Sequence, residues 1–168
     1  MITIATLEDV SALEKLINSA YRGETSKKGW ATEAALLEGK RIALDELVEI
    51  IKNKINTILK YTENNQIIGS VLLTNKGNKL YLGMLAISPK LQNRGIGKKL
   101  LQQAEVHALS LGLSRIVMTV ITIRDKLIEW YQRNGYVDTG VREPFLLNDH
   151  DTIITDQPFE FIVMEKKI

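Results

Sequence analysis

The segment 85–101 reads LAISPKLQNRGIGKKLL, and its character changes near the middle. Its first three residues end an apolar run that begins at residue 80 and has the length of a buried β-strand. A loop that contains Pro89 follows, and apolar residues then recur at helical spacing over 96–111. The segment therefore predicts a strand, a short loop and a helix, with Gly95 and Gly97 at the start of the helix.

The start of this predicted helix has the properties of an anion-binding site. The first turn of a helix carries backbone N–H groups without partners and about half a unit of positive charge from the macrodipole. Glycines let a phosphate approach the backbone, and Arg94, Lys98 and Lys99 add positive charge nearby. Neither the Walker A pattern nor Gly-x-Gly-x-x-Gly is present. By itself the segment leaves two interpretations open: a phosphate or pyrophosphate site, or a glycine-rich helix start selected for close packing.

The chain before this segment predicts helices followed by a β-meander. Turn sequences separate three apolar runs, which indicates antiparallel strands over 57–62, 67–74 and 80–87. Apolar residues at helical spacing and a capping-box pattern indicate an N-terminal helix. The further N-terminal predictions are a strand at Ile2–Ile4, the helix at Leu7–Tyr21 behind the box Thr6-x-x-Asp9, a short helix from Thr32 to Gly39, and a helix capped by Asp45.

The chain after the segment alternates strands and helices. We expect a strand over 115–120, a helix over 125–134, a strand over 136–141, a long polar connection over 143–158 and a final strand over 159–165. This mixed order argues for an α/β or α+β sandwich and against a doubly wound Rossmann fold.

Composition restricts the function classes. A length of 168 residues fits one domain, and the absence of cysteine excludes a thiol nucleophile, disulfides and Cys-based metal sites. A net charge of +2 gives no argument for a nucleic-acid partner. The first residues lack the features of a signal peptide, and no apolar run is long enough to span a bilayer. We therefore expect a soluble, cytoplasmic protein with neither a membrane nor a nucleic acid as partner.

Two motifs together resemble the GNAT superfamily of N-acetyltransferases. The pattern Gln92-x-x-Gly95-x-Gly97 after the strand resembles that family's acetyl-CoA pyrophosphate loop, and the run WYQRNGY over 130–136 resembles its Tyr-x-x-x-Gly-Phe/Tyr element. The resemblance extends over about 67–141. The segments 20–24 and 29–33 are also similar to a bacterial subgroup whose substrate is undefined.

The resemblance implies a fold and a co-substrate. The fold would be α/β (α+β), with a mixed, mostly antiparallel central sheet of about seven strands flanked by helices. The sheet would be splayed between the fourth and fifth strands, 80–87 and 115–120, and residues 1–168 would form a single acetyltransferase domain. Acetyl-CoA would be the co-substrate, and no metal is expected.

The resemblance also assigns residues to the cofactor. The strand before the loop would pair with the pantetheine arm, and one of its N–H groups could stabilise an oxyanion. Tyr131 corresponds to the family's usual proton donor to the CoA thiolate, although Leu127, Ile128 and Tyr131 share a helix face and Tyr131 could instead be a core residue. The pantetheine strand would consist of Leu85, Ala86 and Ile87, and the pyrophosphate loop of Gln92, Asn93, Arg94, Gly95, Ile96, Gly97 and Lys98.

The chain departs from the family pattern at two places. Arg124 stands where many members have an asparagine, and the strand residues 81–84 include no carboxylate to serve as general base. An ammonium acceptor must lose a proton before it attacks, so a base is still needed. Glu33 and Glu24 are the candidate bases, and a water chain is an equal alternative.

The N-terminal region usually covers the acceptor site in this family. Trp30 and Tyr21 are therefore candidates for the wall of the acceptor pocket. Arg22 and Arg41 are either surface arginines or ligands of a carboxylate on the acceptor.

The functional prediction is transfer of an acetyl group from acetyl-CoA to a primary amine of a small molecule or peptide. Without a cysteine or an apparent Ser–His pair, direct attack in a ternary complex is favoured. The alternatives are a non-catalytic CoA-binding regulatory module and a nucleotide-phosphate binder. The sequence specifies neither the acceptor nor the acyl preference, and it leaves a monomer and a homodimer open.

Overall fold

The computed structural model describes all 168 residues, and its main element is a mixed seven-stranded sheet. The strand order in this sheet is β1-β3-β4-β5-β6-β9-β7, and β2 and β8 form a separate two-stranded sheet. The helices are α1 (Val10–Tyr21), α2 (Gly23–Ser26), α3 (Leu44–Lys52), α4 (Ile96–Ser110) and α5 (Asp125–Arg133). The strands are β1 (Ile2–Ile4), β2 (Leu37–Glu38), β3 (Asn56–Glu63), β4 (Gln66–Asn75), β5 (Leu80–Ile87), β6 (Arg115–Ile121), β7 (Val137–Glu143), β8 (Thr152–Ile153) and β9 (Phe161–Lys167).

The sheet opens between β5 and β6, as the sequence predicts. These two strands are the only parallel neighbours, and they pair only at Leu80↔Ile116 and Tyr81↔Val117. A β-bulge on β5 accompanies the divergence, because Met84 and Leu85 together oppose a single residue of β4. Met84 has a φ of 46°, in the left-handed region. The mixed, mostly antiparallel seven-stranded sheet flanked by helices confirms the predicted fold class.

The sheet separates two apolar cores. One core of 19 buried residues lies under α4 and α5, and another of 11 buried residues lies under α1 and α3. The face of α4 shows why this sequence forms a helix here, since its fully buried Leu100 and Ala104 lie one turn apart on the core side. Burial of a leucine such as Leu100 stabilises the fold by roughly 2–3 kcal/mol. The two cores hold the open edge of the sheet rigid on both sides.

Two N-terminal predictions are wrong. The predicted helix over 32–39 is a single turn that ends in β2, because Leu37 and Glu38 pair with Ile153 and Thr152 instead of continuing the helix. The helix predicted to begin after Asp45 begins at Leu44, so Asp45 lies in its first turn rather than at its cap. The long polar connection predicted over 143–158 contains the short strand β8.

Candidate active site

Two cavities lie at the opening between β5 and β6. The first cavity, of about 110 Å³, is bounded by the loop before α4, by the segment around Trp30 and by α5. The second cavity, of about 250 Å³, lies between the diverging strands and is closed by segments around Arg22 and Phe145. The two cavities share one wall, formed by Tyr21, Leu85, Arg124, Leu127 and Tyr131.

The loop over 92–98 presents backbone donors to the first cavity. Gly95 has a φ of 76° and caps α4, and Asn93 has a φ of 67°, so the chain turns sharply into the helix. The first backbone bond within α4 runs from Lys99 N–H to the Gly95 carbonyl, at 3.1 Å. The N–H groups of residues 96–98 therefore have no intrahelical acceptor. Together with the helix dipole they form a site for a phosphate group.

Gly97 has a different role from the one that the sequence suggests. A Cβ at this position would lie 3.1 Å from the ring of Trp130. The glycine therefore makes room for the indole ring, which packs on the first turn of α4. Of the two interpretations open at the sequence level, close packing explains Gly97, while the left-handed φ explains Gly95.

The three basic residues near the loop are not equivalent. Arg94 forms an ion pair with Glu63 at 3.1 Å, and it lies outside the lining of the first cavity. The Lys99 ammonium lies 5.6 Å from the ring centroid of Tyr61. Lys98 is exposed, lines the first cavity and has no ion-pair partner. Lys98 is thus the side-chain cation best placed to meet a phosphate.

Gln92 connects the loop to the N-terminal segment. Its Oε1 accepts a hydrogen bond from the Trp30 N–H at 2.8 Å. The Gln92 amide fills the space beside Gly29, where a Cβ would lie 2.4 Å from Oε1. Trp30 then lies 6.2 Å from Trp130 between ring centroids. The N-terminal segment therefore covers the first cavity, and Gln92 holds that cover in place.

The backbone of β5 is directed into the opening. Ser88 donates its N–H to the Ile68 carbonyl on β4, so by alternation the polar groups of Ile87 point away from β4. The Leu85 carbonyl accepts a hydrogen bond from the Tyr21 hydroxyl at 2.6 Å. Burial raises the pKa of Tyr21 to about 12, so its hydroxyl stays protonated and keeps donating. The side chain of Ala86 is buried in the core, and its polar backbone faces Ser70 on β4, so Ala86 keeps its neighbours in register.

Buried ion pairs form one wall of the second cavity. Arg22 contacts Glu33 at 3.2 Å and Asp151 at 2.8 Å, and Arg124 contacts Glu33 at 3.6 Å. Arg124 also donates to the carbonyl of Ala31. This network joins the N-terminal segment, the start of α5 and the connection before β9. The sequence did not predict it, because the network depends on tertiary contacts such as Arg22–Asp151, which spans 129 positions of the chain.

Three tyrosine hydroxyls line the cavities, and only one is without a partner. Tyr21 donates to Leu85, and the Tyr81 hydroxyl lies 2.8 Å from the Thr119 hydroxyl. The Tyr131 hydroxyl makes no hydrogen bond within the protein, although the residue is buried in the shared wall. Burial raises the pKa of Tyr131 well above the ordinary value of 10. The site therefore offers a protonated, uncommitted phenol between two cavities.

The remaining candidates are divided between the cavities and the surface. Trp30 lines the first cavity, and Glu33 and Arg41 line the second. Glu24 is exposed, pairs with Lys27 at 2.7 Å and lines neither cavity. His150 pairs with Glu46 at 2.9 Å, and no group of three or more potential ligand side chains is arranged to hold a metal ion. None of the helices combines the length and hydropathy needed to cross a membrane.

An anion-binding loop and a second cavity that meet at a free phenol define a two-substrate transferase site. The chain belongs to the acetyltransferase (GNAT) family, because the family model matches residues 14–136. It is accordingly an acyltransferase of the N-acetyltransferase class, with acetyl-CoA as co-substrate.

Solved structures support the fold. A protein of Streptococcus mutans superposes with a TM-score of 0.76 at 14% identity, over 99% of this chain and 98% of that one. The PaiA N-acetyltransferase of Thermoplasma acidophilum, solved with coenzyme A, gives 0.71 at 21% identity, over 100% and 99%. The ribosomal-protein-S18-alanine N-acetyltransferase of Escherichia coli gives 0.76 at 14% identity, over 100% and 93%. No curated protein matches the sequence significantly.

Proposed function

We propose that the protein transfers the acetyl group of acetyl-CoA to a primary amine of a small molecule or peptide, by direct attack within a ternary complex. The observation that carries this proposal is the shared wall, where the free hydroxyl of Tyr131 lies between the two cavities. We also propose that residues 1–168 act as one acetyltransferase domain, since β1 and β9 belong to the same sheet.

The first cavity would hold the CoA end of the co-substrate. The diphosphate would lie on the loop from Gln92 to Lys98, where the N–H groups of Ile96, Gly97 and Lys98 lack intrahelical acceptors. In this assignment Gln92 acts through its contact with Trp30, and Asn93 and Gly95 act through their left-handed backbone. Arg94 contributes its backbone, because its side chain is paired with Glu63.

The strand β5 would orient the pantetheine arm and the acetyl group. The polar backbone groups of Ile87 and the carbonyl of Leu85 point away from β4, and Ala86 completes the strand between them. The Leu85 carbonyl accepts a hydrogen bond from the Tyr21 hydroxyl, which fixes the position of the strand beside the second cavity. Acetyl-CoA supplies the activated acetyl group. A backbone N–H at this point of β5 would stabilise negative charge on the carbonyl oxygen.

Tyr131 would supply the proton that the departing sulfur needs. Its pKa lies above that of a thiol, so the phenol is fully protonated at neutral pH and is ready to donate when the sulfur departs. The amine attacks the carbonyl carbon, the C–S bond then breaks, and the proton of Tyr131 passes to sulfur. The proton that the amine loses passes to water, from which the Tyr131 phenolate is reprotonated. Direct transfer is favoured because the chain has no cysteine to carry an acyl group.

The general base that accepts the proton of the amine has two candidates, a carboxylate and water. Glu33 is the only one of the two predicted bases that lines the second cavity, and both of its oxygens already face arginines, Arg22 and Arg124. Glu24 lies outside both cavities. We propose that water in the second cavity accepts the proton of the amine, and that Glu33, if it accepts a proton, does so through that water.

Substitution of Tyr131 tests this function most directly. Tyr131→Phe removes the only free hydroxyl of the shared wall, and we expect kcat to fall by about 10²–10³-fold while acetyl-CoA binding changes little. The measurements are calorimetric titration with acetyl-CoA and thiol release over a broad panel of amines. Tyr81→Phe is the matched control, since it removes a cavity hydroxyl that is already bonded to Thr119. Acetyl-CoA binding without turnover of any amine by the wild type would contradict the proposal.

A further inference from the structure

The second cavity contains five charged side chains, and four of them neutralise one another. Arg22 bridges Glu33 and Asp151, and Arg124 contacts the other oxygen of Glu33. Arg41 is the fifth, and its guanidinium makes no ion pair and no hydrogen bond. Three arginines against two carboxylates leave one net positive charge in the wall. The net charge of the cavity therefore favours binding of an anion, and no unpaired carboxylate is present to bind a cation.

The backbone around Arg41 is held in place. Asn18 Oδ1 accepts hydrogen bonds from the N–H groups of Arg41 and Ile42 at 2.7 and 3.0 Å. Asn148, which also lines the cavity, donates to the Arg41 carbonyl at 3.4 Å. These contacts come from α1 on one side and from the connection before β9 on the other. The position of Arg41 is thus fixed by two parts of the fold, while its charged group is left without a partner.

The side chain of Arg41 is also oriented. The guanidinium carbon lies 5.5 Å from the ring centroid of Tyr21, which is a cation–π contact. Tyr21 belongs to the wall shared by the two cavities, so Arg41 lies beside the junction and outside the first cavity. Stacking on a ring leaves the planar edge of a guanidinium free to form two hydrogen bonds with a carboxylate.

Part of the lining of the second cavity is apolar. Phe145 and Phe161 pack at 5.1 Å between ring centroids, and Met84 and Met118 line the cavity from the two diverging strands. An acceptor that fills this space would place a carbon skeleton against the aromatic wall and an anionic group on Arg41. Its amine would then face Tyr131.

We propose that Arg41 binds a carboxylate of the acceptor, so that the amine substrate is an amino acid or a similar small amine that carries a carboxylate. This inference rests on the proposed acetyl transfer and specifies its acceptor. Diamines and polyamines are disfavoured, because a second ammonium would meet Arg41 and find both acids of the cavity already paired.

The experiment compares acceptors that differ only at one end. Amino acids are assayed against their amides, and ω-amino acids of four to six carbons against the diamines of the same chain length. In the wild type we expect kcat/KM for the carboxylates to exceed that for the amides and diamines by at least tenfold. Arg41→Met should lower kcat/KM for carboxylates by roughly 10–100-fold, mainly through KM, and should remove the preference. Arg41→Lys should restore part of it, because the charge is kept and the two-pronged geometry is lost.

The readouts separate this inference from the proposed function. Calorimetric titration with acetyl-CoA and thermal unfolding show whether each variant is folded and binds the co-substrate. Turnover of amides or diamines at the same efficiency as carboxylates would overturn the role of Arg41 and leave acetyl transfer standing. If no amine is acetylated, the proposed function fails, and NMR titration of the CoA-saturated protein with 5-aminopentanoate and pentylamine decides the binding question. If wild type and Arg41→Met each bind 5-aminopentanoate and pentylamine equally tightly, the inference is overturned.

Discussion

The proposed cofactor half and the proposed acceptor half of the site are built in opposite ways. The cofactor half uses one contiguous strand, loop and helix, and its main groups are backbone N–H donors at the start of α4. The acceptor half joins distant segments through side chains, and its Arg22–Asp151 contact spans 129 positions of the chain. The first half can therefore tolerate changes of side chain outside Asn93, Gly95 and Gly97, whereas the second depends on a few buried charges.

This difference bears on how each half can change. Backbone donors offer the same geometry with almost any side chain, so a diphosphate site can be kept while the sequence around it varies. Buried charges must remain matched, because an arginine that loses its carboxylate is left uncompensated in the interior. We infer that the acceptor half is the more fragile part of the molecule, and the following variants test that statement.

The largest effect is expected for the buried network. Arg22→Met leaves Asp151 without a cationic partner and Glu33 with Arg124 alone, so we expect the free energy of unfolding to fall by about 3–5 kcal/mol. The measurement is urea-induced unfolding. Arg94→Met in the cofactor half is the matched control, because the Arg94–Glu63 pair is exposed and should contribute less than about 1 kcal/mol. Similar losses for the two variants would remove the distinction between the halves.

An intermediate effect is expected where the cofactor half does use a side chain. Lys98→Glu reverses a charge in the lining of the first cavity and should weaken acetyl-CoA binding about tenfold at low salt. Lys99→Glu makes the same change one residue further on, at a lysine that lies over Tyr61 outside that lining, and should change binding much less. Titration calorimetry at two salt concentrations checks both variants. Equal losses would mean that overall charge, and not the cavity, attracts the co-substrate.

The two halves also differ in what could be predicted from sequence. The loop, α4 and the Tyr131 element were predictable because period and motif lie within a short stretch, and the family resemblance implied the splayed sheet. The segment 32–39 has local helical character, but Leu37 and Glu38 pair with β8, more than 100 residues away. The role of Arg124 was equally hidden. The departure from the family pattern marked the position, while its partners, Ala31 and Glu33, emerge only from the tertiary structure.

The smallest effect is expected at Asp9, which combines a local backbone contact with a long-range side-chain contact. Asp9 accepts a local hydrogen bond from the Thr6 N–H and a long-range one from Lys60 at 2.7 Å. Burial acts to raise the pKa of Asp9, but the bonds from Lys60 and Thr6 outweigh it and hold the pKa below the ordinary 3.8. A lowered pKa gives stability that is present above the unfolded value and is lost as the pH falls through the folded value.

Asp9→Asn should therefore cost less than about 1 kcal/mol at neutral pH, and the difference from wild type should vanish in strong acid. Urea unfolding at a series of pH values from neutral to strongly acidic measures this difference. A difference that persists below the folded pKa of Asp9 would show that the carboxylate charge is not what stabilises the N-terminal turn. Lys60→Met should reproduce the pH dependence if the long-range bond is the dominant contact.

The contact between Trp130 and Gly97 has an optical consequence. The chain has only two tryptophans, and both Trp30 and Trp130 line the first cavity, with their ring centroids 6.2 Å apart. All of the indole emission of the protein therefore originates beside the proposed diphosphate loop. Occupation of that loop changes the surroundings of both fluorophores at once, so the protein carries a label-free reporter of its own co-substrate. The variants Trp30→Phe and Trp130→Phe would show how much of that signal comes from the N-terminal segment and how much from α5.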